Sequence, residues 1–234
     1  MRAVMDQLTV HTREDGDKFV CVWKVGRKQG MVFVRVEADV PEKAVVAELS
    51  AIHYLVEDVH LLGDNRSGAN LALTVSSPLI ADIKSGKSQK SHLFPFAVLL
   101  TTKFLDVPTN VSRDDSWVGE GARTRVRHLL VMEPMRVLLD VKGNGAIGVT
   151  THGFDQFRTR LNNVGAVDAW KEMQRIAKGG MVSTREYHRG SRKLFHAESH
   201  WAFIVGDDGN LITAYSDLNP GKHVPQENDT RVLR

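Results

Sequence analysis

Lys18-Phe19-Val20-Cys21-Val22-Trp23-Lys24-Val25, Gly26-Arg27-Lys28-Gln29-Gly30 and Met31-Val32-Phe33-Val34-Arg35-Val36 decide the fold of the first half of the chain. The outer runs are short, rich in β-branched and aromatic residues, and separated by a glycine-flanked turn, which predicts two antiparallel strands. Ala3 to Thr12 carries the same signal and is set off by Asp15-Gly16-Asp17, so the pattern extends to a three-stranded meander. Downstream, Pro41 opens a helix with Val45, Leu49, Ile52 and Val56 on one face. A short strand is expected around Val59 to Leu62, ending in Gly63-Asp64-Asn65. A helical stretch from Ala69 through Lys84 with Pro78 as a break, a third helix around Phe94 to Phe104, and a strand at Val107 to Val111 complete this half.

The chain has 234 residues, 42% hydrophobic and 25% charged, which is enough to build one large core or two modest ones. The formal net charge is only +3 and the pI near 9.0, yet the cations are clustered. Arg123, Arg125, Arg127 and His128 form one run; Arg185, His188, Arg189, Arg192, Lys193 and His196 form another. Clustered cations suit a polyphosphate, because each neutralised phosphate releases counterions. Cys21 is the only cysteine, which excludes an intrachain disulfide and a thiolate metal cluster, and its apolar surroundings predict a buried thiol. A reducing cytoplasm is the expected compartment. Met1 to Asp6 lacks the apolar core of a signal peptide, and no uncharged run is long enough to span a bilayer, so no membrane partner is expected.

Residues 1–115 read as a first domain and 116–147 as a junction whose apolar runs, Leu129 to Met132 and Val137 to Val141, predict two further strands. Residues 148–218 read as a second domain and 219–234 as a tail. The second domain opens with Thr151 as the expected cap of a helix reaching about Asn162. Ala166 to Lys178 is a second helix stopped by Gly179-Gly180. Trp201 to Val205 and Leu211 to Tyr215 flank Asp207-Asp208-Gly209-Asn210, a hairpin signal. The fold class expected is α/β (α+β): a mixed sheet with helices, then a smaller helix-helix-antiparallel-sheet domain. On the first helix, His152, Gln156 and Arg160 recur at i, i+4 and i+8, apart from an apolar stripe of Phe154, Phe157 and Leu161. That spacing aligns a titratable imidazole with a permanent cation.

The order strand, strand, strand, helix, strand, helix, helix, strand resembles the ribonuclease H-like fold over residues 1–115. Ala47-Glu48-Leu49-Ser50-Ala51-Ile52 looks like its first helix, and Gly63-Asp64-Asn65 like the end of its next strand. The resemblance implies that Glu48 and Asp64 would help hold a pair of Mg²⁺ ions in an active, metal-dependent nuclease. Aligning Leu8 to Thr12 with the first strand puts Arg13 where a carboxylate is needed, with Glu14 and Asp15 displaced from it and Asp114 and Asp115 as late carboxylates. A guanidinium there would repel the ions, so the reading is a scaffold that has lost metal catalysis.

The helix with His152, Phe157 and Arg160, the Gly-Gly stop, and the terminal hairpin with Thr213 together resemble the RelE/RegB-like (barnase/EndoU/colicin/RelE) ribonucleases, including toxin-like and phage members, over residues 148–218. Gly153 stands where the signature has alanine and Gln156 where it has its first arginine; Arg158 lies close to the missing charge. The resemblance implies an endoribonuclease without a cofactor, in which the 2′-hydroxyl of RNA attacks the adjacent phosphate. Such chemistry needs a base, an acid and cations around the phosphorane. His152 is the first candidate for proton transfer, with His188, His196 and His200 as partners and Arg160 as phosphate clamp. Arg158, Arg185, Arg189, Arg192, Lys193, Arg123, Arg125 and Arg127 are the expected RNA-binding cations, and Tyr187 and Trp201 aromatic residues for stacking on bases. The expected partner is RNA, whether mRNA or ribosomal. A pair of zinc ligands at His196 and His200 is disfavoured by the strand that begins at Trp201. A noncatalytic RNA-binding or host-takeover protein built on two degenerate nuclease folds is the alternative outside enzymology.

Overall fold

The structure is a computed structural model that describes residues 6–63, 68–119, 122, 125–188 and 190–216, with backbone alone at 184–188. It is an α/β chain with two mixed sheets, and it divides into two compact units, Met1–Val137 and Leu138–Arg234.

The first unit begins with β1 (Asp6–Asp15), β2 (Lys18–Val25) and β3 (Lys28–Val36), which form the expected antiparallel meander with Leu8 opposite Val25 and Phe19 opposite Val34. Helix α1 (Lys43–Glu57) follows and lies on the face lined by Leu8, Val10, Val32 and Val34; with Ile52 and Leu55 these residues are buried. After α1 the structure departs from the pattern. Residues 61–63 form a turn, not a strand, and the next strand, β4 (Leu71–Val75), lies where a helix was expected. Two physical reasons account for this. Leu71–Val75 is inserted in parallel pairing between β1 and β5 (Thr109–Val111), and a strand covered on both faces reads as a continuous apolar run. Pro78 starts helix α2 (Pro78–Lys84) instead of breaking one, because its missing amide costs nothing in a first turn. A 3-10 helix (Ser91–Ala97), α3 (Val98–Thr101) and β6 (Val126–Val131), parallel to β3, complete the unit. The sheet order is β5-β4-β1-β2-β3-β6. On the face away from α1, Trp117, Val118 and Ala122 cover Val20, Val22 and Met31.

The second unit contains β7 (Val137–Val141), β8 (Gly145–Val149), α4 (Thr151–Arg160), α5 (Ala166–Gly179), β9 (Val182–His188), β10 (Ser191–His196), β11 (Trp201–Val205) and β12 (Asn210–Ser216). The order is β7-β8-β12-β11-β10-β9. The last four strands are antiparallel and the expected β11–β12 hairpin forms, but β8 pairs in parallel with β12, so the sheet is mixed where an antiparallel one was expected. The apolar stretches of residues 116–147 are strands of both sheets: β6 belongs to the first, β7 and β8 to the second. Phe154 and Phe157 of α4 are fully buried, Phe157 against Trp201 at 4.5 Å and Phe203 at 5.9 Å between ring centroids. Among the described residues no helix is long and apolar enough to cross a membrane.

Candidate functional site

Helix α4 is tied to β12 by its first turn. Thr150, not Thr151, is the cap: its Oγ1 accepts from the Gly153 amide at 2.9 Å and donates to the Leu211 carbonyl at 2.8 Å. A Cβ at residue 153 would lie 2.5 Å from that same carbonyl oxygen, a close approach that only glycine allows without a shift. At the other end of α4, Arg160 donates through one terminal nitrogen to the Gln156 side-chain oxygen at 2.9 Å, the Gln156 carbonyl at 3.2 Å and Thr213 Oγ1 at 3.4 Å. Its Nε is buried with no hydrogen-bond partner, no carboxylate pairs with it among the described residues, and desolvation pulls its pKa below the usual guanidinium value. Gln156 therefore holds the guanidinium in place without neutralising it. His152 lies exposed two turns earlier on the same helix, about 12 Å along the axis by helical rise, too far for both side chains to grip one phosphate oxygen.

From Thr213 the polar surface continues across the sheet. The registers Lys193 opposite Ile204 opposite Thr213, and Phe195 opposite Ala202 opposite Tyr215, put these side chains on one face. The Lys193 ammonium lies 5.3 Å from the Phe195 ring centroid and 5.2 Å from that of Tyr215, and exposed His200 meets the edge of Phe195 at 6.4 Å. Arg160, Thr213, Tyr215, Lys193, Phe195 and His200 thus form one cation–aromatic path. Phe195 and Tyr215 escaped sequence reading; the signal was alternate spacing beside Lys193 and Thr213, which has meaning only once β10, β11 and β12 are aligned.

Other expected residues lie elsewhere. His196 is 3% exposed, hydrogen-bonded through Nδ1 to the Ser199 hydroxyl at 2.7 Å and amide at 3.2 Å, with Nε2 packed against Gly179, which leaves it no access to a substrate. Trp201 is core, packed on Phe157, instead of a stacking surface. Arg158 spends its Nε–H on the Val164 carbonyl at 3.1 Å and so holds the α4–α5 turn. Arg192 is half-buried on β10, while Arg125 and Arg127 are exposed at β6 of the first unit, so the two basic runs belong to separate units. Asp64, Arg123 and Arg189 lie outside the described residues, as do the side chains of Arg185, Tyr187 and His188.

In the first unit Glu48 is 1% exposed. Its two oxygens accept from the Ser76 amide and the Ser76 hydroxyl, each at 2.5 Å, and burial lifts its pKa to about 6 against these hydrogen bonds and one from Thr12. Thr12, Ser76, Ser77 and Arg113 line the pocket of about 190 Å³ in front of it. Ser76, not Asp64, follows β4, and Thr12, not Arg13, turns toward Glu48. Arg13 pairs with Val20 on the opposite face, since one residue of register reverses the side. Among the described residues there, one carboxylate with both oxygens occupied, two hydroxyls and a guanidinium do not fit a pair of Mg²⁺ ions, which need several free anionic oxygens. Next to it, Cys21 is fully buried with its thiol pKa pushed up to about 12, as its apolar surroundings predict. Comparison with family models, with curated proteins and with solved structures finds no match to this chain.

Proposed function

We propose that this is an RNA-directed protein whose second unit carries the RNA site and acts as an endoribonuclease of the RelE/RegB-like type. The observation that carries this reading is Arg160: a guanidinium drawn partly out of water, fixed through a terminal nitrogen by Gln156 and Thr213, with no carboxylate counter-anion among the described residues. A desolvated cation without a carboxylate is a receptor for an anion. The adjoining rings of Tyr215 and Phe195 around Lys193 supply π faces next to a charge, the pairing that accepts unstacked bases beside phosphate. His152 and His200 are the exposed imidazoles for proton transfer, and the in-line attack of the 2′-hydroxyl calls for no metal. In the first unit, the order β3-β2-β1-β4-β5 with β2 antiparallel supports a ribonuclease H-like scaffold, and the Glu48 environment supports one without metal catalysis.

A second reading, RNA binding without cleavage, is favoured by Gln156 at an arginine position of the related signature. One experiment separates the two. The intact chain is incubated with labelled single-stranded RNA in EDTA, with binding and cleavage followed together. Arg160→Ala is expected to weaken binding about 10- to 100-fold, the loss of one charge-assisted contact. His152→Ala is expected to abolish cleavage while binding persists. Binding without products in the wild type selects the second reading; no RNA affinity at low salt removes both.

A further inference from the structure

β6 closes the first sheet on one side. The carbonyls of Arg125 and Val131 accept from the Met31 amide at 3.0 Å and the Glu37 amide at 2.9 Å, so the odd-numbered residues of this segment bond to β3. In a parallel ladder alternate residues send both backbone groups to one partner, which turns those of Val126, His128 and Leu130 to the free edge. Along this edge the exposed apolar side chains of Val126 at 43%, Leu130 at 53% and Met132, just beyond the strand, at 67%, stand among exposed Arg125, Arg127 and His128. A strand open at its edge with such side chains is a template for another strand. The groove alongside, about 590 Å³, is built on the Phe33 and His128 rings, stacked at 5.4 Å. Its cations are matched by acids, Arg35 by Glu37 at 3.2 Å and Lys18 by Asp15 at 3.8 Å, which makes it poorly suited to a phosphate chain.

We propose that β6 is a self-association edge, at which two copies of this chain pair antiparallel about a two-fold axis through Leu129. This is independent of the nuclease reading. Facing pairs in an antiparallel ladder alternate between hydrogen-bonded and non-hydrogen-bonded, so a two-fold axis must pass where one residue faces itself. With Leu129 at the axis, His128 faces Leu130 and Arg127 faces Val131 within the strand, and next in register, where the chain bends at either end of it, come Val126 with Met132 and Arg125 with Glu133. Each exposed apolar side chain then gains an apolar or aromatic neighbour. Arg125 and Glu133, both exposed and in no ion pair among the described residues, gain each other. The neighbouring registers are worse: an axis at Arg127 opposes two guanidinium groups, one at His128 opposes two imidazoles, and one at Leu130 brings Pro134, without an amide hydrogen, opposite Val126.

Sedimentation of the full chain tests this. A monomer–dimer equilibrium is expected below about 100 µM. Arg125→Glu or Glu133→Arg alone should weaken it about tenfold, and the double charge swap should restore it. Leu129 faces itself as a non-hydrogen-bonded pair, whose Cα atoms lie about 4.5 Å apart, within disulfide reach. Leu129→Cys should therefore form a cross-linked dimer under mild oxidation, whereas the wild type, with only buried Cys21, should not. A monomer at that concentration, a dimer indifferent to the single swaps, or a dimer of Leu129→Cys that does not cross-link would overturn the proposal.

Discussion

Two buried ionisable residues of the first unit pull its stability in opposite directions. Glu48 has its folded pKa raised from 4.5 to about 6 by burial, so its contribution is fully present below pH 4.5 and lost as pH rises through 6, about 2 kcal/mol from 1.36 kcal/mol per unit. His53 has its folded pKa depressed from 6.5 to about 4 by desolvation, and its Nδ1 is buried without a hydrogen-bond partner among the described residues. Its contribution is present above pH 6.5 and lost as pH falls through 4, about 3 kcal/mol by the same conversion. Glu48→Gln, which keeps an acceptor for the Ser76 amide and gains a donor for its hydroxyl, should stabilise the protein by up to about 2 kcal/mol at pH 7.5 and not at pH 4.5. It should also steepen the acid loss, since His53 then titrates unopposed; urea melts at both pH values measure this. A drop in stability at pH 7.5 would mean the charge is compensated. Glu48 was legible as a helix glutamate. Its partners were not, because Thr12 and Ser76 come from β1 and the end of β4, and only pairing of those strands brings them to it.

At the level of elements, α4 is positioned by contacts to a strand far along the chain. Gly153→Ala should cost about 1–3 kcal/mol, because the new methyl meets the Leu211 carbonyl and a packed helix–strand contact yields little. Thr150→Ala should cost about 1 kcal/mol for the cap and free both the Gly153 amide and the Leu211 carbonyl. Thermal melts of the two variants measure these losses, and a neutral Gly153→Ala would refute the close approach. The helix itself, its apolar stripe of Phe154 and Phe157, and the alignment of Gln156 with Arg160 were legible from spacing alone, since i, i+4 neighbours meet on any α-helix. The roles of its arginines were not. Arg158 and Arg160 are two positions apart and point to different neighbours, one to the Val164 carbonyl and one to Thr213.

At the scale of the molecule, each unit has its own sheet and core. Calorimetry should therefore resolve two transitions, Glu48→Gln moving one and Gly153→Ala the other; a single transition displaced by both would show the units unfold as one. The sequence by itself determined the α/β class, the three-stranded meander, helix α1 and the β11–β12 hairpin, because period and turn chemistry act within a few residues. It misassigned Leu71–Val75, since a strand buried on both faces loses its alternation. Tertiary structure alone decided which histidines reach solvent, that Thr12 and not Arg13 turns toward Glu48, and that Lys193 stands between two rings. Those outcomes follow from strand register and burial, which join residues far apart in the chain and leave no periodic trace in it.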